Sequence, residues 1–297
     1  MSNFQIFSDG ACDIGKEWAE EYDISLIPFY VSLDHKTYQK EIEELSLDYY
    51  YAEMVSKKIY PKTSLPSVQD YIDAFRPALE AGKDIICLTL TRTLSASLES
   101  AVNAQNMLQE DFPDAKIHVL NSWHATGSQL LLLMEIAKMR DAGRSIDEAK
   151  EYVEKARVDA RIHFMVGDIS YLEVGGRIGK LATLSGSILK IKPLIILKDG
   201  EIGVGGVIRS RKKGIQRIVE ITKEYFQNTS IRPEDCYCAI GISNLWDEAS
   251  ECQALLAEAT PGLNFLKPFQ IGATIATHTG PGTIGICFVP KKEVYGF

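Results

Sequence analysis

The polar residues that stand out in this chain are hydroxyls, one arginine and one histidine, placed where a small anion could be held. Thr63 and Ser64 lie in Pro61-Lys-Thr-Ser-Leu-Pro-Ser67, and Thr91, Thr93, Ser95 and Ser97 crowd one short run with Arg92. Arg177 sits in the glycine-rich Gly175-Gly-Arg-Ile-Gly-Lys180, and His278 in Thr277-His-Thr-Gly-Pro-Gly282. Each has a structural reading beside the functional one. Ser67-Val-Gln-Asp70 has the form of a capping box, which explains Ser67 but leaves Thr63 and Ser64 spare near a helix start. One hydroxyl of 91–97 is needed as a cap, and the others exceed that need. Asn121 or Ser122 caps the next helix. Arg177 is either a solvated turn residue or a ligand for an anion. His278, read at the end of an apolar strand between Thr277 and Thr279, is the one histidine of five in a setting that packing does not explain.

These groups are donors without a nucleophile or a base partner. The run 175–181 has Leu181 where GxxxxGK(S/T) needs a hydroxyl, so no phosphate-binding loop is present. No GxSxG elbow occurs, and His278 has no ligand-type neighbour for a metal. The six cysteines form no CxxC pair and are read as reduced thiols of a cytosolic protein, not as a zinc site. A second charged feature is Arg209-Ser-Arg211-Lys212-Lys213, read either as a solvated helix start or as a docking or phosphate-proximal patch.

Alternating strands and helices must position these residues. The spacing predicts strands at 4–8, 24–33, 84–90 and 116–120, with helices at 13–21, 47–57, 68–79, 94–109, 125–140 and 146–160. That rhythm implies right-handed crossovers and a parallel sheet covered on both faces, with ligands at the carboxyl ends of its strands. Beyond it, a hairpin around Asp199-Gly200, a helix near 212–225, and strands at 237–242 and 284–289 bracketing a helix at 248–258 imply mixed α/β structure. The expected fold class is therefore two-domain α/β. An N-terminal parallel-sheet three-layer domain takes residues 1–162, and a C-terminal mixed α/β domain takes 163–297.

Composition limits the function further. The chain has 297 residues, 45% of them hydrophobic and 24% charged, as expected of a globular protein. Its net charge of −8 disfavours general nucleic-acid or anionic-membrane binding, although Arg209–Lys213 escapes that average. No apolar stretch approaches the roughly 20 residues of a spanning helix. The opening MSNFQIFSDG has no basic segment leading into an apolar core, so no secretory signal is expected.

Taken in order, these motifs resemble the DegV family of bacterial fatty-acid-binding proteins. The resemblance runs from end to end. It rests on Ser8-Asp9-Gly-Ala-Cys-Asp13, Lys62-Thr-Ser-Leu-Pro-Ser67, Leu94-Ser95, Asn121-Ser122, Tyr171-Leu-Glu-Val-Gly-Gly-Arg-Ile178, Ile191-Lys-Pro-Leu194, Arg209-Ser-Arg-Lys-Lys213 and His278-Thr-Gly-Pro-Gly282. It implies a long-chain fatty acid buried between or beside the two domains, with no other cofactor and no metal. Thr63 and Ser95 would hold the carboxylate, His278 and Arg177 would complete the network, and Ser64, Ser97, Ser122, Thr279 and Gly280 would support it. The family acts as the lipid-carrying subunit of fatty acid kinase. The resemblance therefore implies a cytoplasmic carrier without catalysis of its own, and a separate ATP-dependent kinase subunit that phosphorylates the bound acid. An acyltransferase then passes the acyl phosphate to phospholipid synthesis, and Arg209, Arg211 and Lys212 would face a partner or the phosphate. The family's Ser-Ser-x-Leu-Ser-Gly-Thr reads Thr91-Arg92-Thr93-Leu94-Ser95-Ala96-Ser97 here, and its Asp-Ser reads Asn121-Ser122, so Arg92 is expected near the head group. The alternative is a stand-alone phosphotransfer or hydroxyketone-processing enzyme using His278.

Overall fold

The computed structural model describes residues 4–179, 181–182 and 192–297. Lys180 of the glycine-rich turn and Ile191 of the Ile-Lys-Pro-Leu run lie outside the described residues. In chain order the first part comprises β1 (Phe4–Asp9), α1 (Gly15–Glu21), β2 (Ile24–Ile27), β3 (Tyr30–Ser32), β4 (Gln39–Lys40), α2 (Leu47–Lys57), β5 (Lys62–Ser64) and α3 (Val68–Glu80). It continues with β6 (Asp84–Thr89), α4 (Ser97–Asp111), β7 (Ile117–Asn121), α5 (Thr126–Asp141) and α6 (Ile146–Asp159). The rest is β8 (Arg161–Met165), α7 (Ser170–Val174), β9 (Lys192–Lys198), β10 (Glu201–Ile208), α8 (Arg211–Asn228), β11 (Cys236–Ile242), α9 (Trp246–Ala259), β12 (Asn264–Phe265), β13 (Phe269–Gln270), α10 (Ala273–Thr279) and β14 (Ile284–Pro290).

The expected parallel sheet forms with strand order β2-β1-β6-β7. Ile85 and Cys87 of β6 pack with Tyr71 and Phe75 of α3 and Ala101, Ala104 and Leu108 of α4. Ile86 and Leu88, on the other face, pack with α5 and α6. A parallel strand with both faces covered has no polar side to spare, which is why β6 reads as an unbroken apolar run. The second sheet is mixed, in the order β10-β9-β8-β14-β11-β12 with β13 also on β11. Its β9–β10 hairpin turns at Asp199-Gly200, as the sequence predicts. Helices α8 and α9 cover one face of this sheet through Ile215, Ile218, Cys252 and Leu256.

The predicted strand at 24–33 is two strands. Pro28 has no N–H to continue a ladder, so β2 ends at Ile27 in the parallel sheet. β3 then enters a separate three-stranded sheet, β4-β3-β5. The helix expected from Leu94 begins at Ser97 instead, because residues 91–96 form a turn that serves the site described below.

α5 is the shared element. It contacts β1 and β6 on one side and β11 and β14 on the other, and Leu130 to Leu133 are all buried. A helix apolar all round is a buried helix, and here two sheets bury it. The close approach depends on Gly127, where a Cβ would lie 2.8 Å from Cys287 and from the Phe269 ring. We therefore expect Gly127→Ala to lower stability by about 1–2 kcal/mol. Overpacking at about 1–3 kcal/mol outweighs a helix-propensity gain of at most about 1. Urea unfolding should show a lower midpoint at unchanged m-value.

Candidate functional site

Between the segments that follow β6 and β7 and the open face of the mixed sheet lies a cavity of about 250 Å³. In the order β2-β1-β6, the chain leaves β1 towards one side and returns on the other, and loops at such a switch point part to leave a crevice. Ile162, Phe164, Leu197 and Ile202 of the mixed sheet supply apolar walls. Gly241 and Gly285 leave the sheet without side chains where it faces the cavity. The polar members of the lining include Thr63, Ser64, Ser95, Arg177, His278 and Thr279.

His278 is not on a strand, as its apolar approach suggests, but on the short helix α10. Thr274, Ile275 and His278 face the cavity at helical spacing. Thr63 and Ser64, expected near a helix start, lie on β5, where Thr63 pairs with Val31 of β3. This strand sets Thr63 Oγ1 2.9 Å from His278 Nε2. Two tyrosines of α2 fix the helix that carries the ring. Tyr50 Oη is 2.8 Å from Thr277 Oγ1, and Tyr51 donates to the Ile271 carbonyl at 2.7 Å. The other ring nitrogen, Nδ1, is buried without a partner. It lies against Gly175, where a Cβ would collide with the ring, so the first glycine of the Gly-Gly-Arg turn is required by His278.

Arg177 folds back from that turn. Its Nε donates to the Leu94 carbonyl at 3.0 Å and Nη1 to the Gly175 carbonyl at 2.7 Å. The guanidinium is thereby tied to the Ser95 loop, and among the described residues Nη2 has no partner. Burial and the neighbouring Arg177 charge push the His278 pKa down to about 4, so its ring is neutral at pH 7. Burial also lowers the Arg177 pKa from its ordinary value.

The hydroxyl-rich run 91–97 divides its tasks. Thr91 and Thr93 both donate to the Gly200 carbonyl at the β9–β10 turn, fastening that hairpin over the loop. Ser97 donates to Asp9 Oδ2 at 2.7 Å and meets the Tyr71 hydroxyl at 2.7 Å, so it is a buried anchor away from the cavity. Ser95 accepts from the Ser97 backbone at 3.2 Å and lines the cavity. Arg92, expected near the head group, is 64% exposed and pairs with Glu99 at the start of α4. Ser122 and Asn121 do not cap α5: Ser122 donates to the His124 carbonyl, and Asn121 Oδ1 accepts from the Trp123 amide. They shape the turn after β7 and do not line the cavity. Thr279 lines it, with Oγ1 spent on the Ile275 carbonyl at 3.1 Å. Gly280 has φ +75° and packs on the Tyr171 ring, where no side chain fits.

The basic run also divides. Arg211 makes a two-nitrogen pair with Glu248 and donates to the Gly282 carbonyl, fastening the Gly-Pro-Gly turn. Arg209 and Lys212 are exposed and pair with no acid among the described residues.

Sequence reading gave no role to Asp9. Its buried carboxylate accepts from the Leu90 amide at 2.9 Å, from Ser97 Oγ, and from Gln129 Nε2 at 3.0 Å. It therefore holds together the end of β1, the loop after β6 and helix α5. An acidic residue closing an apolar parallel strand was the available signal. Among the described residues no group of three or more His, Cys, Asp or Glu could hold a metal. All six cysteines are buried and free. No described helix is long and apolar enough to cross a membrane.

These features define a two-domain α/β protein with a largely apolar cavity and a donor-lined polar side. A DegV family model matches residues 3–291. A DegV domain-containing protein of Streptococcus pyogenes serotype M1 is 30% identical over 295 residues, covering 98% of this chain and 99% of that one. A stearic-acid-binding protein from Eubacterium ventriosum superposes with a TM-score of 0.92 at 36% identity, over 98% of this chain and 99% of that one. The fatty-acid-binding DegV of Bacillus subtilis does so with a TM-score of 0.85 at 26% identity, over 98% and 100%. The chain belongs to the DegV family.

The His278 pKa makes acid sensitivity calculable. The folded ring takes its proton only near pH 4, whereas an unfolded histidine does so near 6.5. Between those values the unfolded state binds more protons, so this stability is present above pH 6.5 and lost as pH falls towards 4. Lowering the pH from 7 to 5 should cost the ligand-free protein about 2 kcal/mol through this residue. His278→Gln should remove that share, read as a smaller difference between denaturant unfolding at the two pH values.

Proposed function

We propose that this protein binds a long-chain fatty acid with its tail in the 250 Å³ cavity and its carboxylate at Thr63 and Ser95. The observation that carries this reading is the meeting of an apolar cavity with two hydroxyls, Arg177 and His278. The acyl chain would lie between an N-terminal domain of residues 1–162 and a C-terminal domain of 163–297. Burying it releases about 0.8 kcal/mol per CH₂, on the order of 10 kcal/mol for a long chain before ordering costs. Stearic-acid binding by the Eubacterium ventriosum neighbour supports the ligand class.

The 2.9 Å Thr63–His278 contact sets the proton arrangement. A hydroxyl has one proton, so Thr63 can donate to a carboxylate only if His278 donates Nε2–H to Thr63 Oγ1. His278 then orients a donor and need not carry charge. Its low pKa makes it a weak base at neutral pH, which supports a carrier over an enzyme built on His278. Arg177 supplies the cation opposite the carboxylate, and its Nη2, unpartnered among the described residues, is available to it.

The bound acid would be presented in the cytoplasm to an ATP-dependent kinase subunit, which forms the acyl phosphate that an acyltransferase consumes. The absence of a Walker motif supports a division of labour of this kind. Arg209 and Lys212 are the exposed cations suited to an acidic partner surface, whereas Arg211 is spent on Glu248 and Gly282. Thr63→Ala with Ser95→Ala should leave the fold intact and the protein purifying without fatty acid; unchanged lipid in native mass spectra would refute the carboxylate assignment. Arg209→Glu with Lys212→Glu should keep the lipid and lower acyl-phosphate formation with the kinase subunit. Wild-type turnover at saturating partner would count against this patch as the docking surface.

A further inference from the structure

The two glycines of the cavity wall differ in what they leave room for. Gly241 of β11 and Gly285 of β14 stand directly opposite each other, and Phe164 of β8 pairs with Gly285 on its other side. Phe269 of β13 is the register neighbour of Gly241. One row across the sheet therefore reads Phe164, Gly285, Gly241, Phe269. Met165, Ile240 and Ile286, each one residue from that row, pack with α8 and α9, so the row itself faces the cavity.

Neither glycine is required by its backbone, because neither has a positive φ. A glycine inside a strand forfeits side-chain packing and marks a place where something approaches the backbone closely. At Gly241 that something is the Phe269 ring, which a Cβ would meet at 2.7 Å. At Gly285 the three atoms nearest to a Cβ, from 3.0 to 3.7 Å, all belong to β8, in Phe164, His163 and Ile162. The tightest contact, with Phe164 Cβ, is relieved by a shift of a few tenths of an ångström. No atom of the layer opposite comes as near, and the cavity lies there instead. β14 turns alternate residues to the cavity, and Thr283, Gly285 and Cys287 all line it. A side chain at position 285 would project into the middle of this wall.

Resting on the fatty-acid reading of the cavity, we propose that Gly285, in the gap between Phe164 and Phe269, is the specificity-determining position that admits a long acyl tail over a medium one. A tail crossing the gap takes the room that a side chain fills in an ordinary sheet core. Each further methylene buried there strengthens binding by roughly fourfold.

The test loads the delipidated full chain from an equimolar mixture of straight-chain saturated acids, dodecanoic to octadecanoic, and reads the bound species by native mass spectrometry. The wild type should favour the longer acids. Gly285→Val puts three carbons into the gap, and in a close-packed cavity they displace about three methylenes. Octadecanoic acid should then fall relative to dodecanoic acid by on the order of tenfold or more, while dodecanoic acid still binds. Phe164→Leu, which opens the same gap, should move the preference towards the longer acids. A wild type with no preference for the longer acids, an unchanged order in folded Gly285→Val, or loss of dodecanoic acid with the rest overturns the assignment to Gly285. A wild type that retains none of these acids refutes the fatty-acid reading itself, and this assignment with it. If Gly285→Val does not fold, Phe164→Leu decides: an order like that of the wild type overturns the assignment.

Discussion

The Asp9 carboxylate is the interaction on which the site depends. It is wholly buried at the end of β1, where desolvation raises its pKa and only hydrogen bonds hold the charged form down. Its donors come from the loop after β6, from the first residue of α4 and from α5. A buried carboxylate stripped of donors costs more than the bonds themselves are worth, so these three elements are obliged to meet. Once Ser97 is bound to Asp9, the turn before it is fixed. Ser95 then lies in the cavity wall, and the Leu94 carbonyl is placed to receive Arg177.

The cavity exists because two sheets share α5 without closing on each other everywhere. Where α5 runs between them the packing is complete, down to a glycine at the contact with Cys287 and Phe269. Beyond the start of α5 the parallel strands have ended, and the mixed sheet continues with Ile162, Phe164 and Leu197 facing open space. The small three-stranded sheet and α10 roof that space and bring Thr63 to His278. Apolar walls and polar roof therefore come from different parts of the chain. That separation lets one pocket be water-excluding along its length and hydrogen-bonding at one side.

Much of this was legible in the sequence, for reasons that also explain the failures. β6 and α5 were legible because burial on both faces leaves an unbroken apolar run, and the β9–β10 hairpin because Asp-Gly suits its turn. Thr63, Ser95, Arg177 and His278 were legible as polar residues that local structure did not require, and they line one cavity. The placement of His278 on a helix was not legible. Seven residues are too few to separate a helical period from a strand's when the neighbours are Ala, Ile and Thr. Ser97, Ser122 and Arg211 share composition with the cavity residues but serve tertiary contacts with Asp9, the His124 carbonyl and Glu248. Those partners are distant in sequence or lie within a turn of unusual backbone, so spacing carries no trace of them.

The two ends of α10 respond to pH in opposite senses. At the His278 end, burial depresses the pKa, so protonation disfavours the folded state as pH falls below 6.5. At the other end, burial raises the Glu41 pKa to about 7, and Asp13 is raised as well. There the folded state holds protons that the unfolded chain releases near pH 4.5, and that stability is lost as pH rises through 7. With His278 neutral, Arg177 is the cation in the cavity lining among the described residues. A carboxylate held at Thr63 and Ser95, as proposed, would meet that charge, so ligand binding and the pH response of the His278 end act on the same cluster.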